Sequence, residues 1–187
     1  YPQVDEVNAG SNYRQPNQLF INTGNKRFFP VESDDALSIS KVSRGSAIAD
    51  YDNDGDSDIF VVNLNDSPTL LRNETKTPNN WIAIQLIGTG VNRDGIGSHI
   101  EIETNTSKQW RYVNGAGSYL SYNDIRSFIG LGNEDIVLSI NVIWPDGNRS
   151  EIKLPEINSL LVIKDNGNNQ SFPITESHKI YDWAYGN

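Results

Sequence analysis

Residues 45–62 read Gly45-Ser46-Ala47-Ile48-Ala49-Asp50-Tyr51-Asp52-Asn53-Asp54-Gly55-Asp56-Ser57-Asp58-Ile59-Phe60-Val61-Val62. The two ends have the composition of short β-strands, and the acidic centre is the loop that joins them. In that loop aspartate stands at 50, 52, 54, 56 and 58, with a glycine directly after the third. A plain hairpin tip favours Asp, Asn and Gly on conformational grounds, but it has no need of alternation. A hard cation does: Ca²⁺ takes roughly 6–8 oxygen ligands, so a short loop must turn carboxylates inward from alternate positions and add a backbone carbonyl. The expected ligands are the side chains of Asp50, Asp52, Asp54 and Asp58 and the carbonyl of Asp56, with Gly55 supplying the sharp turn. Without a cation these charges repel one another, so raised carboxylate pKa values or an opened loop are expected.

The flanks exclude an EF-hand. That loop places a bidentate Glu at its twelfth position and is entered and left by helices, whereas the twelfth position here is Val61 and both flanks read as strands.

Composition narrows the function classes. The 187 residues carry 15 Lys+Arg against 24 Asp+Glu, a net charge of −9, which argues against nucleic acid or an anionic membrane surface as partner. The longest apolar runs, such as Ile136-Val137-Leu138 and Leu160-Leu161-Val162-Ile163, are too short to cross a bilayer, so a soluble chain is expected. Cysteine is absent, which removes thiol catalysis, disulfides and zinc–thiolate sites. Methionine is absent too and the chain begins at Tyr1; the expectation is that a signal peptide or a preceding domain has been lost. A loop of this kind fills where free calcium is abundant, so secretion to an extracellular or periplasmic space is expected.

Along the chain the apolar period is two. Ile82, Ile84 and Leu86 share one face of Trp81–Leu86, Ile100-Glu101-Ile102-Glu103 alternates, and Leu138, Ile140 and Val142 repeat the pattern before Trp144. Between these runs lie turn signals at Asn92-Arg93-Asp94-Gly95, Asn114-Gly115, Pro145-Asp146-Gly147 and Asp165-Asn166-Gly167. Many short strands with such punctuation predict an all-β fold, sandwich or barrel-like, without a long helix. A polar, proline-bearing break at Thr75–Asn80 divides the chain. The expected units are 1–76, holding the acidic hairpin; 77–165, holding most strands; and a tail, 166–187. The tail aromatics Phe172, Tyr181, Trp183 and Tyr185 suit a sheet edge, a neighbouring domain or a sugar face.

Residues 17–73, through Asn17-Gln18-Leu19-Phe20-Ile21-Asn22-Thr23-Gly24-Asn25, the acidic loop and Leu70-Leu71-Arg72-Asn73, resemble a calcium-binding FG-GAP/VCBS repeat, a unit like a blade of the integrin-α β-propeller. Residues 80–164 are similar to an ASPIC/UnbV domain, which commonly follows such repeats in proteins of the cartilage acidic protein type and in secreted bacterial proteins. The matching motifs are Asn79-Asn80-Trp81, Asn92–Gly97, Gly117-Ser118-Tyr119-Leu120-Ser121, Gly130-Leu131-Gly132 and Trp144-Pro145-Asp146-Gly147. The chain departs from the family pattern at Ser98-His99, where a small residue and Arg are usual, and at Phe128, where many members carry His. The resemblance implies a propeller-blade-like β-hairpin unit followed by a β-sandwich or barrel-like domain. Since a closed propeller takes roughly 4–8 blades, either further blades belong to a longer chain or the hairpins pack directly on the second domain.

The remaining site candidates are weaker. Arg93 and Asp94 sit in a sequence that a tight turn demands, as does Asp146-Gly147; Asn123-Asp124 reads as a loop, with a second cation or a substrate as its alternative. His99 falls on the outward face of an alternating strand, and His178 has no evident partner, so a histidine acid–base pair is not expected. No Gly-x-Ser-x-Gly elbow or dinucleotide fingerprint is present. The leading expectation is a secreted, non-catalytic calcium-binding module that binds or adheres to a protein or matrix partner. The alternatives are a carbohydrate-binding module using Trp110, Tyr112, Tyr119 or the tail aromatics, and a biosynthetic enzyme using Asp94, Asp124 and Asp146 as acid or base.

Overall fold

The computed structural model describes residues 5, 10, 12–31, 36–117 and 119–173. Among these residues the chain is all-β, and the only helical turn is a 3₁₀ turn at Ala36–Ser38. The acidic hairpin and its neighbours form two small sheets. Strands β1 (Phe20–Asn22) and β2 (Phe28–Pro30) pair antiparallel, and β3 (Ser43–Ala49), β4 (Asp58–Asn63) and β5 (Thr69–Leu71) form an antiparallel meander. The β4–β5 turn is fixed by Asn63, whose side-chain amide donates to the Ser67 carbonyl (2.8 Å) and the Thr69 hydroxyl (3.1 Å).

Eight further strands follow: β6 (Asn80–Ile87), β7 (His99–Thr104), β8 (Lys108–Tyr112), β9 (Ser127–Gly132), β10 (Val137–Ile143), β11 (Arg149–Lys153), β12 (Ser159–Lys164) and β13 (Gln170–Pro173). They make two four-stranded sheets, in the orders β11-β10-β7-β8 and β13-β12-β6-β9. One apolar core draws on both sheets, through Ile100, Ile102, Ile140 and Val142 from the first and Ile82, Ile84, Leu86, Ile129, Leu131, Leu161 and Ile163 from the second. The domain is therefore a sandwich of open sheets, not a closed barrel. Fully burying each such side chain stabilises by about 1.5–3 kcal/mol, and a core of this kind is what two facing period-2 patterns provide.

Strand β6 is covered on both faces. Ile82, Ile84 and Leu86 enter the core as the alternation predicts, while Ala83 joins a second cluster with Leu160 and Val162 against Trp81, Ile87, Phe128 and Phe172. Phe172 lies in β13, which extends the second sheet beyond residue 165 by pairing with β12. Tyr181, Trp183 and Tyr185 lie outside the described residues.

At β10 the structure differs from the simple alternation. The register shifts between Val137 and Ser139, so Val137, Ile140 and Val142 are buried and Leu138 is 38% exposed. A β-bulge sets one extra residue against the partner strand, which flips the phase and turns Leu138 outward.

The hairpin unit packs directly on the sandwich domain. The Asp124 amide donates to the Ile48 carbonyl (2.8 Å), and the Ile48 amide donates to the Asn123 side-chain oxygen (3.0 Å). The segment before β9 thus runs along the free edge of β3, covering strand groups that would otherwise lie open.

Candidate metal centre

Pairing of β3 with β4 runs up to Ala49↔Asp58, so Asp50 and Asp58 leave the two strands side by side at the mouth of the loop. Two residues let the chain fold back between them. Asn53 (φ 57°) and Gly55 (φ 96°) both take left-handed backbone conformations, which Asn and Gly tolerate best. The result brings carboxylate oxygens of Asp50, Asp52 and Asp58 within 4.8 Å of one another.

Each of the three is held differently. Asp50 is fully buried and Asp58 is 2% exposed. The Asp50 oxygens accept from the Asp54 and Gly55 amides, both at 3.1 Å. Asp58 accepts from the Tyr51 amide (3.2 Å) and the Asn73 amide (2.8 Å). Both carboxylate oxygens of Asp52 are buried with no hydrogen-bond partner among the described residues. The Arg72 guanidinium stands 2.8 Å from Asp52 Oδ2, but outside hydrogen-bonding geometry; it also reaches Glu74 at 2.9 Å. Buried carboxylates of this kind are costly unless a cation or donors answer them, and a donor set made of carboxylate oxygen suits hard cations. The residues therefore fit a metal ion, on two observations: the convergence of three carboxylates and the orphaned oxygens of Asp52.

Electrostatics point the same way. Burial pushes the Asp50 carboxyl up to about 6, against the pull of the Gly55 and Asp54 amides and of the Arg126 charge. Burial and then the charges of Asp54, Asp58 and Asp52 raise Asp56. Of the two other predicted ligands, Asp54 accepts from the Asp56 amide (3.0 Å) and lies 3.8 Å from Arg72. Neither Asp54 nor Asp56 belongs to the group of three.

The loop also has partners that no local pattern marks. Arg126, just before β9, donates to the Asn53 side-chain oxygen (2.9 Å) and to the Asp50 carbonyl (2.8 Å). The indole of Trp81, at the start of β6, lies against Gly55.

A family model described as FG-GAP-like repeat matches residues 4–61, and one described as ASPIC and UnbV matches residues 88–170. The chain carries an FG-GAP-like repeat followed by an ASPIC/UnbV domain. No curated protein matches the sequence. The FG-GAP-like match contains the whole acidic loop and most of β4, and the ASPIC/UnbV match runs from the end of β6 to the first residue of β13.

Within the ASPIC/UnbV domain Asn92, Asn123, Asp124 and Asp146 each have hydrogen-bond partners within the fold. Asn92 closes its own turn, accepting from the Ile96 amide (3.0 Å) and donating to the Ile96 carbonyl (2.8 Å). Asp146 caps the β10–β11 turn by accepting from the Asn148 amide (3.0 Å). Asp124 is taken up by Arg126, and Asn123 by β3. His99 is exposed, its ring edge-on to Tyr112 at 4.8 Å. The groove that Asp146 borders is lined by Gly88–Asn92, Trp144, Pro145 and Asp165, which brings neither Asp94 nor Asp124 to it.

Proposed function

We propose that the FG-GAP-like repeat is a calcium-stabilised structural unit of a secreted protein, and that the chain acts by binding a protein or matrix partner. The observation that carries the metal half of this reading is Asp52, whose two buried oxygens lack hydrogen bonds at the point where Asp50 and Asp58 converge. Bound there, calcium would supply two positive charges to a cluster of aspartates. Asp50, Asp52 and Asp58 would hold it, and the amides that already satisfy Asp50 and Asp58 keep those side chains oriented toward it. Extracellular or periplasmic calcium levels favour occupancy of such a loop, which supports secretion.

The test is thermal unfolding in EGTA, in calcium and in magnesium. Binding to the native state alone raises stability by roughly 2.7 kcal/mol at a hundredfold excess over the dissociation constant. A calcium-selective rise in melting temperature is expected; identical melts in all three, with no calcium found by elemental analysis, would sink the reading.

The response should also depend on pH in a defined sense. Because the folded-state pKa of Asp50 is raised to about 6 from 3.8, its protonated form favours the metal-free fold. That stability is fully present below pH 3.8 and is lost as pH rises through about 6. Calcium requires the ionised form, so the calcium-dependent gain should shrink as pH falls below about 6. Melts from pH 5 to 8, with and without calcium, separate these opposing trends.

A second reading rests on the edge strand β8. Trp110 and Tyr112 point to the same face and are 60% and 56% exposed. Alternate strand residues stand about 6.7 Å apart, close enough to act together as a stacking surface for a glycan. Glycan-array binding lost in Trp110→Ala would favour it; no binding by the wild type would remove it.

A further inference from the structure

Arg126 belongs to the ASPIC/UnbV domain but spends half of its hydrogen-bonding fork on the FG-GAP-like loop. Its side chain is 7% exposed. Nε donates to Asp124 Oδ2 (2.7 Å), Nη2 bonds the same oxygen, and the Arg126 amide returns to Asp124 Oδ1 (2.9 Å). The guanidinium carbon sits 5.1 Å above the Phe128 ring. Asp124 and Phe128 thus lock the fork before it reaches the other unit. Its free edges then meet the Asn53 side chain and the Asp50 carbonyl. Neither contact uses a carboxylate oxygen, so the grip on the loop leaves the converging carboxylates free.

The same interface is closed on either side of this contact. Asn123 and Asp124 pair with Ile48 on β3, and Trp81 covers Gly55. A loop gripped at Asp50 and Asn53 loses the conformations in which Asp50 and Asp52 diverge. Side chains that orient metal ligands from outside the ligand set are typically worth 10–100-fold in metal affinity.

We propose that Arg126 is a positioning residue for the metal loop, so that calcium binding in the FG-GAP-like repeat and docking of the ASPIC/UnbV domain stabilise each other. This rests on the calcium reading given above. By reciprocity, whatever docking contributes to calcium affinity, calcium must contribute to docking.

The experiment is calcium titration of the full chain, wild type against Arg126→Gln, by calorimetry. Loss of a positive charge that leaves Asp124 behind would by itself attract a cation and tighten binding. Positioning predicts the opposite sign, a weakening of about 10–100-fold. A second measurement needs only the wild type: amide hydrogen exchange at Ile48 and Asp124, the pair that joins the units, should slow at least about tenfold when calcium is added. Equal or tighter calcium binding by a folded Arg126→Gln, or exchange at Ile48 and Asp124 that ignores calcium, would overturn the coupling while leaving the calcium site intact. Failure of the wild type to bind calcium at all would overturn both.

Discussion

Asp52→Asn leaves the calcium-free protein within about 1 kcal/mol of the wild type and abolishes the calcium-dependent rise in melting temperature. The expectation follows from the contrast among the three converging aspartates. Asp50 and Asp58 each accept two backbone amides, so changing either disturbs the loop as well as the metal. Asp52 accepts none. Its one cationic neighbour among the described residues, Arg72, is 47% exposed, and an ion pair that open to water contributes little to stability. The amide preserves shape and removes a charge whose only cationic partner among the described residues is that exposed guanidinium. At a hundredfold excess of calcium the wild type should gain roughly 2.7 kcal/mol, and the variant little of it. Paired melts in EGTA and calcium read both quantities, and a variant that still responds like the wild type would show that Asp52 is not a ligand.

Gly55→Ala is expected to cost about 3 kcal/mol, the largest single effect of a one-methyl change in the loop. Two penalties coincide there. A φ of 96° is strained for any residue with a Cβ, at about 1–3 kcal/mol. The new methyl would also fall 2.4 Å from Cζ2 of Trp81 and 2.6 Å from its Cε2, and forcing extra volume against a packed ring costs about 1–3 kcal/mol more. Trp81 cannot simply swing away, since it packs against the cluster of Ala83, Leu160 and Val162. Gly24 is the control: its φ is 81° but nothing lies within 4 Å of its would-be Cβ, so Gly24→Ala should pay only the backbone part. Urea unfolding of both variants separates strain from collision. Equal costs at the two sites would mean that Trp81 does not cover the loop in solution.

The acidic loop and its flanking strands could be read from the sequence because both signals are local. Alternate aspartates mark the acidic loop, and Ser43–Ala49 and Asp58–Asn63 on either side have the strand composition the hairpin requires. The same holds for Ile82, Ile84 and Leu86, whose alternation puts them in the sandwich core. Leu138 shows where local reading fails: a bulge is set by how β10 meets β7, and nothing within Ile136–Trp144 announces the slipped phase. Arg126 was silent for a stronger reason. Its hydrogen bonds to Asp50 and Asn53 cross from one unit to the other, and a basic residue beside Asp124 in a loop looks the same whether it faces water or a neighbouring domain. For the same reason the sequence could place five aspartates in one loop without saying that three of them converge.

The parallel pairing of Leu160–Lys164 with Ala83–Ile87 has a consequence for how the protein is made. Strand β6 emerges from the ribosome early and can pair with β9, but the edge that takes β12 must wait until every strand from β7 to β11 has been synthesised. Parallel partners that distant in the chain form slowly, because the intervening segment must be closed before the contact gives anything back. Until then Ala83, on the face opposite Ile82, Ile84 and Leu86, lacks the cover of Leu160 and Val162, and the open strand edge is of the sort that chaperones cover and that aggregation exploits. A chain cut between β9 and Leu161 would therefore keep its aspartate hairpin and still be unable to finish its larger half.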